Sequence, residues 1–229
     1  MCIRDSSCLL DISADSDGAV VYTSVKGAKE ALGASSAHAA ALWPMVAVGE
    51  KKYYFSAMFA ALTAYTDANN ADVPYESPSN KDLRITATVL KDGTTVALDQ
   101  QQANDVLNAN GVITAINANG FKSWGNNTAA YPSTTDPKDR WWAVRRFFDW
   151  DGNNFIQTYF QKVDKPGNKR LIQSIVDSQN IIGNGYVARD YCAGYRVEFR
   201  SDENPVTNLL AGHLTVHTYL CLLYTSDAA

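Results

Sequence analysis

Two histidines four residues apart, His213 and His217, could hold a metal by type and spacing. On a helix an H-x-x-x-H pair sets both imidazoles on one face, where zinc can bridge them. Here Leu214, Val216 and Leu220 recur at even spacing, which predicts a strand over His213–Leu220. Leu214 stands where the zinc-protease motif needs its Glu base. The pair is therefore expected to be structural. Asp149-Trp150-Asp151-Gly152-Asn153-Asn154 has the acidic density of a calcium loop, but its Gly falls at the fourth position and Phe160 stands at the twelfth. That pattern fails for calcium, and a loop or helix kink at Gly152 is expected instead. Nucleophilic catalysis needs a Ser or Cys beside a base. No G-x-S-x-G elbow occurs, Cys192 sits in a strand-like run, and His38, His213 and His217 are in no recognisable catalytic context. Phosphate-loop and dinucleotide fingerprints are absent. No catalytic, cofactor-binding or metal-ligating residue is assigned, and no cofactor is expected.

Aromatic and basic side chains concentrate further along. Four of the five Trp lie between Phe121 and Phe160, as Trp124, Trp141, Trp142 and Trp150. Such a cluster could stack single-stranded nucleic acid, but its helical spacing predicts core packing. The acidic total, 20 Lys and Arg against 24 Asp and Glu, also opposes a nucleic-acid partner. Lys138–Arg170 nevertheless holds eight basic groups against four acids, and Lys165, Lys169 and Arg170 near a helix start form either a solvated face or a contact for an acidic partner. Asn126-Asn127-Thr128 is a glycosylation sequon that matters only in a secretory setting.

The elements that must position these residues alternate. Ala41–Val48 reads as a buried strand, with Pro44 suggesting a late start or an edge. Phe55, Met58, Phe59, Leu62 and Tyr65 predict a helix over Tyr54–Asn69. Ile85–Leu90 reads as a strand, and Asp99 with Gln102 as a capping box ahead of a helix carrying Ala103, Val106 and Leu107. Gly111–Ile116 and Phe121–Trp124 read as strands around a turn. Asp136-Pro137 opens a helix bearing Trp141, Val144 and Phe148. Another runs from about Asn168 with Ile172, Ile175 and Val176 inward, and Tyr195–Arg200 alternates as a half-buried strand. Strand–helix alternation in the first half predicts an α/β sheet.

Composition bounds the class. The chain has 229 residues, 46% of them apolar and 19% charged, which fits a packed protein. No apolar run reaches the roughly 20 residues of a membrane span. The two ends, 1–6 (MCIRDS) and 221–229 (CLLYTSDAA), resemble translated sequencing-adapter read-through at the edges of metagenomic reading frames, and are expected to be artefacts. Removing them leaves Cys8 and Cys192, too few for a disulfide framework. The Pro/Ser/Thr stretch Tyr131–Asp136 is the expected domain boundary.

A set of short segments carries a family resemblance. They are Val73–Lys81, Asn108–Ile113, Ser123–Asn126, Trp141–Arg146, Gln161–Asp164, Arg196–Phe199 and Asn204–Leu209. In that order and spacing the chain resembles the tail sheath proteins of contractile-tailed phages and related injection systems, from about Tyr53 to Leu220. The resemblance implies a partial subtilisin-like α/β domain over 7–131, without protease function, and a smaller α+β C-terminal sheath domain over 132–220. It implies a homo-oligomer that links subunits by adding strands to neighbouring sheets. The implied partners are other sheath subunits, a tail tube protein, and baseplate and terminator proteins, with no nucleic acid and no membrane insertion. The implied location is the virion tail, assembled in the host cytoplasm. Lys165, Lys169 and Arg170 become candidate tube contacts, and His213, Thr215, His217 and Tyr219 a candidate linking strand. An α/β hydrolase-like enzyme is the alternative.

Overall fold

A computed structural model describes residues 7–162 and 168–222, and these form two compact units that divide between Trp150 and Asp151. The Tyr131–Asp136 stretch lies inside the first unit.

The first unit opens with strand β1 (Cys8–Asp11) and helix α1 (Val25–Ala31). The expected strand over 41–48 is two strands, β2 (Ala39–Leu42) and β3 (Met45–Val48), in different sheets. Pro44 lies at the break, where it has no N–H to continue a ladder. Then come β4 (Lys51–Tyr53), α2 (Phe55–Asn69), β5 (Ala87–Val89), α3 (Gln100–Gln102, continuing in π and 3-10 turns to Asn110), β6 (Val112–Asn117), β7 (Phe121–Trp124), α4 (Pro137–Arg140) and α5 (Trp142–Tyr159), whose residues from Asp151 on belong to the second unit. The second unit adds α6 (Lys169–Ala188), β8 (Gly194–Glu198), α7 (Val206–Leu210) and β9 (His217–Cys221). The mixed α/β class expected from the alternation is observed.

Local signals account for the helix starts. Asp99 accepts from the Gln102 N–H at 2.6 Å and Gln102 Oε1 accepts from the Asp99 N–H, the expected reciprocal box. Asp136 accepts from the Lys138 N–H with Pro137 behind it, and Asn168 accepts from the Leu171 N–H at 2.9 Å. The start of α2 borrows its partner from another element, because Asp11 at the end of β1 accepts from the Ser56 N–H at 2.9 Å. Gly152, where a loop or kink is expected, does not end the helix. α5 runs unbroken through it.

The larger sheet has the order β1-β2-β6-β7, parallel across β1, β2 and β6 and antiparallel at β7. β2 sits between two neighbours and all four of its residues are buried, as a parallel strand covered on both faces requires. Its alternation serves two cores. Ala39 and Ala41 pack with Trp43, Val25, Leu107 and Val112, while Ala40 and Leu42 pack with Phe55, Phe59, Ile113 and Trp142. Helices therefore cover both faces of one sheet. The second sheet, β4-β3-β5, is antiparallel.

One crossing point in this unit is tight. Lys29 on α1 is buried, and its ammonium donates to the Asn110 carbonyl at 2.6 Å and the Tyr131 carbonyl at 2.8 Å. Burial pulls its pKa down to about 8. Gly111 enters β6 beside it at φ +67°, and a Cβ there would meet the Tyr131 oxygen at 2.4 Å, the Thr128 oxygen at 2.6 Å and Lys29 Nζ at 2.8 Å. Only glycine meets both the dihedral and the space. Gly111→Ala should destabilise the chain by about 2–4 kcal/mol through strain and backbone overlap. Lys29→Met, which keeps the volume but strands two carbonyls, should cost about 1–3 kcal/mol. Urea unfolding followed by tryptophan fluorescence reads both.

Candidate functional site

The second unit carries a two-stranded antiparallel sheet whose edges are unequal. β8 and β9 pair with Arg196 opposite Tyr219, Val197 opposite Thr218 and Glu198 opposite His217. Side chains alternate across the ribbon. One face holds Arg196, Glu198, His217 and Tyr219. The other holds Tyr195 and Val197, which meet α6.

The outer edge of β8 is closed. Asn180 on α6 donates its Nδ2–H to the Val197 carbonyl at 2.8 Å and accepts the Val197 N–H on Oδ1 at 2.9 Å. One amide thus completes a backbone pair that would otherwise template another strand. Because Val197 turns its groups toward Asn180, its partner Thr218 turns its own away from β8, as antiparallel alternation dictates. Among the described residues no hydrogen bond closes that edge of β9.

The polar face of the ribbon is interlinked. Glu198 accepts from Arg200 Nε at 2.7 Å, from Arg196 Nη2 at 2.8 Å and from the Tyr219 hydroxyl at 3.0 Å. Arg196 also lies over the Tyr219 ring, 4.9 Å from its centroid. His217 Nε2 bonds Glu203. The guanidinium groups hold the Glu198 carboxyl below its usual range, Arg200 first and with the Tyr219 hydroxyl assisting.

The strand expected over His213–Leu220 begins only at His217 and includes Cys221. His213 and Thr215 are corrected accordingly. The His213 N–H is bound to the Asn208 carbonyl, and Thr215 is clamped by the buried Asn204, whose amide accepts the Thr215 N–H and donates to the Thr215 carbonyl, both at 2.8 Å. Neither offers a free strand edge. His217 and Tyr219 remain on β9, with their side chains on the polar face.

Lys169 and Arg170 occupy the exposed first turn of α6, and Lys165 lies outside the described residues. Cations at a helix N-terminus face the positive end of the macrodipole. Among the described residues neither Lys169 nor Arg170 forms an ion pair that would offset this.

The remaining chemically suggestive residues are built into the fold. His38 Nδ1 lies 3.0 Å from buried Asp149, which also takes Arg145 at 2.7 Å, and Arg145 reaches Asp139 at 3.0 Å. Among the described residues no Ser or Cys hydrogen-bonds the His38 ring, and no cluster of three or more metal-ligating side chains occurs. In the Trp-rich segment Trp142 and Phe147 are buried, and Arg140 stacks on Trp141 at 4.2 Å. The sequon is internal as well. Asn126 accepts the Ala143 N–H at the start of α5, and Asn127 donates to the Asn108 carbonyl. No described helix is long and apolar enough to cross a membrane.

With this geometry in hand, likeness to solved structures defines the class. The fold matches the anti-feeding prophage baseplate structure with a TM-score of 0.77 at 17% identity, over 100% of this chain and 60% of that one. It matches the sheath complex of the extracellular contractile injection system PVC, in its contracted state, with a TM-score of 0.79 at 15% identity, over 96% and 61%. The fold is that of contractile-sheath proteins. No family model matches the sequence. Two curated relatives do, and both are called tail sheath protein. That of Burkholderia phage BcepMu is 31% identical over 143 residues, covering 62% of this chain and 30% of the relative. That of Escherichia phage P2 is 31% identical over 117 residues, covering 49% and 27%. The chain is similar in sequence to contractile-tail sheath proteins, and the matched stretches span less than a third of the length of each of these two relatives.

Asn180, Asn204, Asp151 and Tyr195 were not singled out as functional by spacing. Asn180 between Val176 and Gly183 on an inward helical stripe is the signal that was available, since a polar residue there needs a partner. Asn180→Leu should leave Val197 with two unmet backbone groups and cost about 2–3 kcal/mol. Thermal unfolding, together with faster amide exchange at Val197 than at Arg196, reads this out.

Proposed function

We propose that the chain is part of a structural subunit of a contractile tail sheath, or of a related injection system, that polymerises around a tail tube and contracts to drive it through a host envelope. The observation that carries the assembly part is the asymmetry of the β8–β9 ribbon. One edge is closed by Asn180 and the other presents β9. A strand from a neighbouring subunit would add there by main-chain hydrogen bonds. The linking strand is thus read as His217–Cys221, with His217 and Tyr219 displayed on one face and Thr218 offering its backbone groups.

The role is mechanical and non-enzymatic in this reading. An extended cylinder is metastable, a baseplate signal releases it, and subunits repack into a shorter and wider state. The energy resides in subunit interfaces. Lys169 and Arg170, with Lys165, are read as tube contacts, where an acidic surface would relieve two cations set against a helix dipole. The tail terminator caps the polymer, assembly takes place in the bacterial cytoplasm, and the product is a virion tail. Residues 7–131 are read as part of a subtilisin-like α/β domain, supported by the parallel β1-β2-β6 core with helices on both faces, and 132–220 as the C-terminal sheath domain.

Two variants of a full-length sheath protein test this. Thr218→Pro removes an N–H that faces away from β8, so the ribbon persists while strand addition is blocked. Electron microscopy should show folded subunits and no polymer. Lys165→Glu/Lys169→Glu/Arg170→Glu should abolish assembly on the tube. Normal sheaths from the first variant overturn the linking strand, and normal sheaths from the second overturn the tube contact.

A further inference from the structure

A carboxylic acid is buried in the second unit, and among the described residues no cation lies beside it. Asp151 is 5% exposed and accepts the Tyr195 hydroxyl at 3.0 Å on one oxygen and 3.2 Å on the other. Gln179, 1% exposed, donates its Nε2–H to the same hydroxyl at 2.8 Å, while its Oε1 has no partner among the described residues. Three elements meet here. α5 supplies Asp151, α6 supplies Gln179, and β8 supplies Tyr195. The arrangement is packed in place, since a Cβ on Gly183 would lie 1.8 Å from the Tyr195 ring.

The titratable neighbours are few. From α6 the Tyr186 ring stacks edge-on to Tyr195 at 5.7 Å, and burial pushes its hydroxyl up to about 12. Arg189, past the end of α6, acts on Tyr186. Cys192, ahead of β8, is held up by burial, and so is Tyr195 itself. None is positively charged beside Asp151. With Asp151 ionised, hydrogen bonds run from Gln179 to Tyr195 to the carboxylate, and a negative charge sits in the packed interior. With Asp151 protonated, the acid can donate to Tyr195 and Tyr195 to Gln179 Oε1 once the amide turns over. The chain of bonds then reverses polarity and the buried charge is gone.

We propose that Asp151, Tyr195 and Gln179 form a proton-operated latch that holds β8 on α6 more firmly when Asp151 carries a proton. It rests on the geometry of this unit and not on the assembly reading. Burial pushes the Asp151 carboxyl up to about 6, with the Tyr195 hydroxyl acting in the opposite direction. An acid raised in the folded state binds its proton more tightly there than in the open state. The latch is therefore fully engaged below the unfolded value near 4, loosens as pH rises to about 6, and is level above that.

Amide-exchange protection factors for Arg196 and Val197 in this chain test it, corrected for intrinsic exchange. Wild type should lose roughly 20-fold in protection between pH 4.5 and pH 7.5. Asp151→Asn should change less than twofold. Tyr195→Phe removes the one donor to the carboxylate, so its pH dependence should exceed that of wild type. A flat wild-type profile, an Asp151→Asn protein with the wild-type profile, or a Tyr195→Phe protein matching wild type would each overturn the latch.

Discussion

A backbone N–H or C=O that leaves its ladder must find another partner or water, and this chain settles that demand with a few polar side chains. Lys29 holds two carbonyls from segments 21 residues apart, at Asn110 and Tyr131. Asn204 holds Thr215 by both backbone groups, and Asn180 does the same for Val197. The Asn180 pair is worth more than an ordinary surface hydrogen bond, because removing it strands the backbone groups of buried Val197. The pattern of what is satisfied also fixes what is left. Val197 and Thr215 are closed by amides, and β9 keeps an edge.

That economy leaves the ribbon with one open edge among the described residues. A ribbon with two open edges would pair either way and aggregate. A ribbon with one edge closed by a helix can take a strand only on the other. Directional, repeated addition of this kind is what a heterologous polymer needs. The charged face of the ribbon sharpens it further. Glu198 gathers two guanidinium groups and a phenol, so the face around Tyr219 is held in one arrangement.

Much of the local architecture was legible in residue order. The capping box at Asp99, the Asp136-Pro137 start and the β6–β7 hairpin all rest on short-range chemistry, and the structure has them where spacing puts them. The α2 stripe holds at Phe55, Phe59 and Leu62, but Thr66 closes it and Tyr65 is exposed. What escaped depends on contacts distant in sequence. Ala41–Val48 read as one strand because its apolar run is continuous, yet Pro44 divides it between two sheets. β1 and α1 escaped because what holds them, pairing with β2 for the first and Val25 packing in the Trp43 core for the second, is distant in sequence. The alternation at His213–Leu220 was too weak to separate ladder residues from those held by Asn204. Asp149 and Asp151 lie in a segment with the acidic density of a calcium loop but without its spacing. On an unbroken helix they instead serve different partners, His38 with Arg145 and Tyr195 with Gln179.

In the proposed assembly β9, and not β8, is the edge through which subunits join. Hydrogen-exchange mass spectrometry on a full-length sheath protein, compared free and polymerised, tests it most directly. Joining through β9 requires the peptides spanning Thr218 and Leu220 to gain strong protection on assembly while Val197, already held by Asn180, changes little. Protection gained at Val197 with Thr218 and Leu220 unaltered would contradict it.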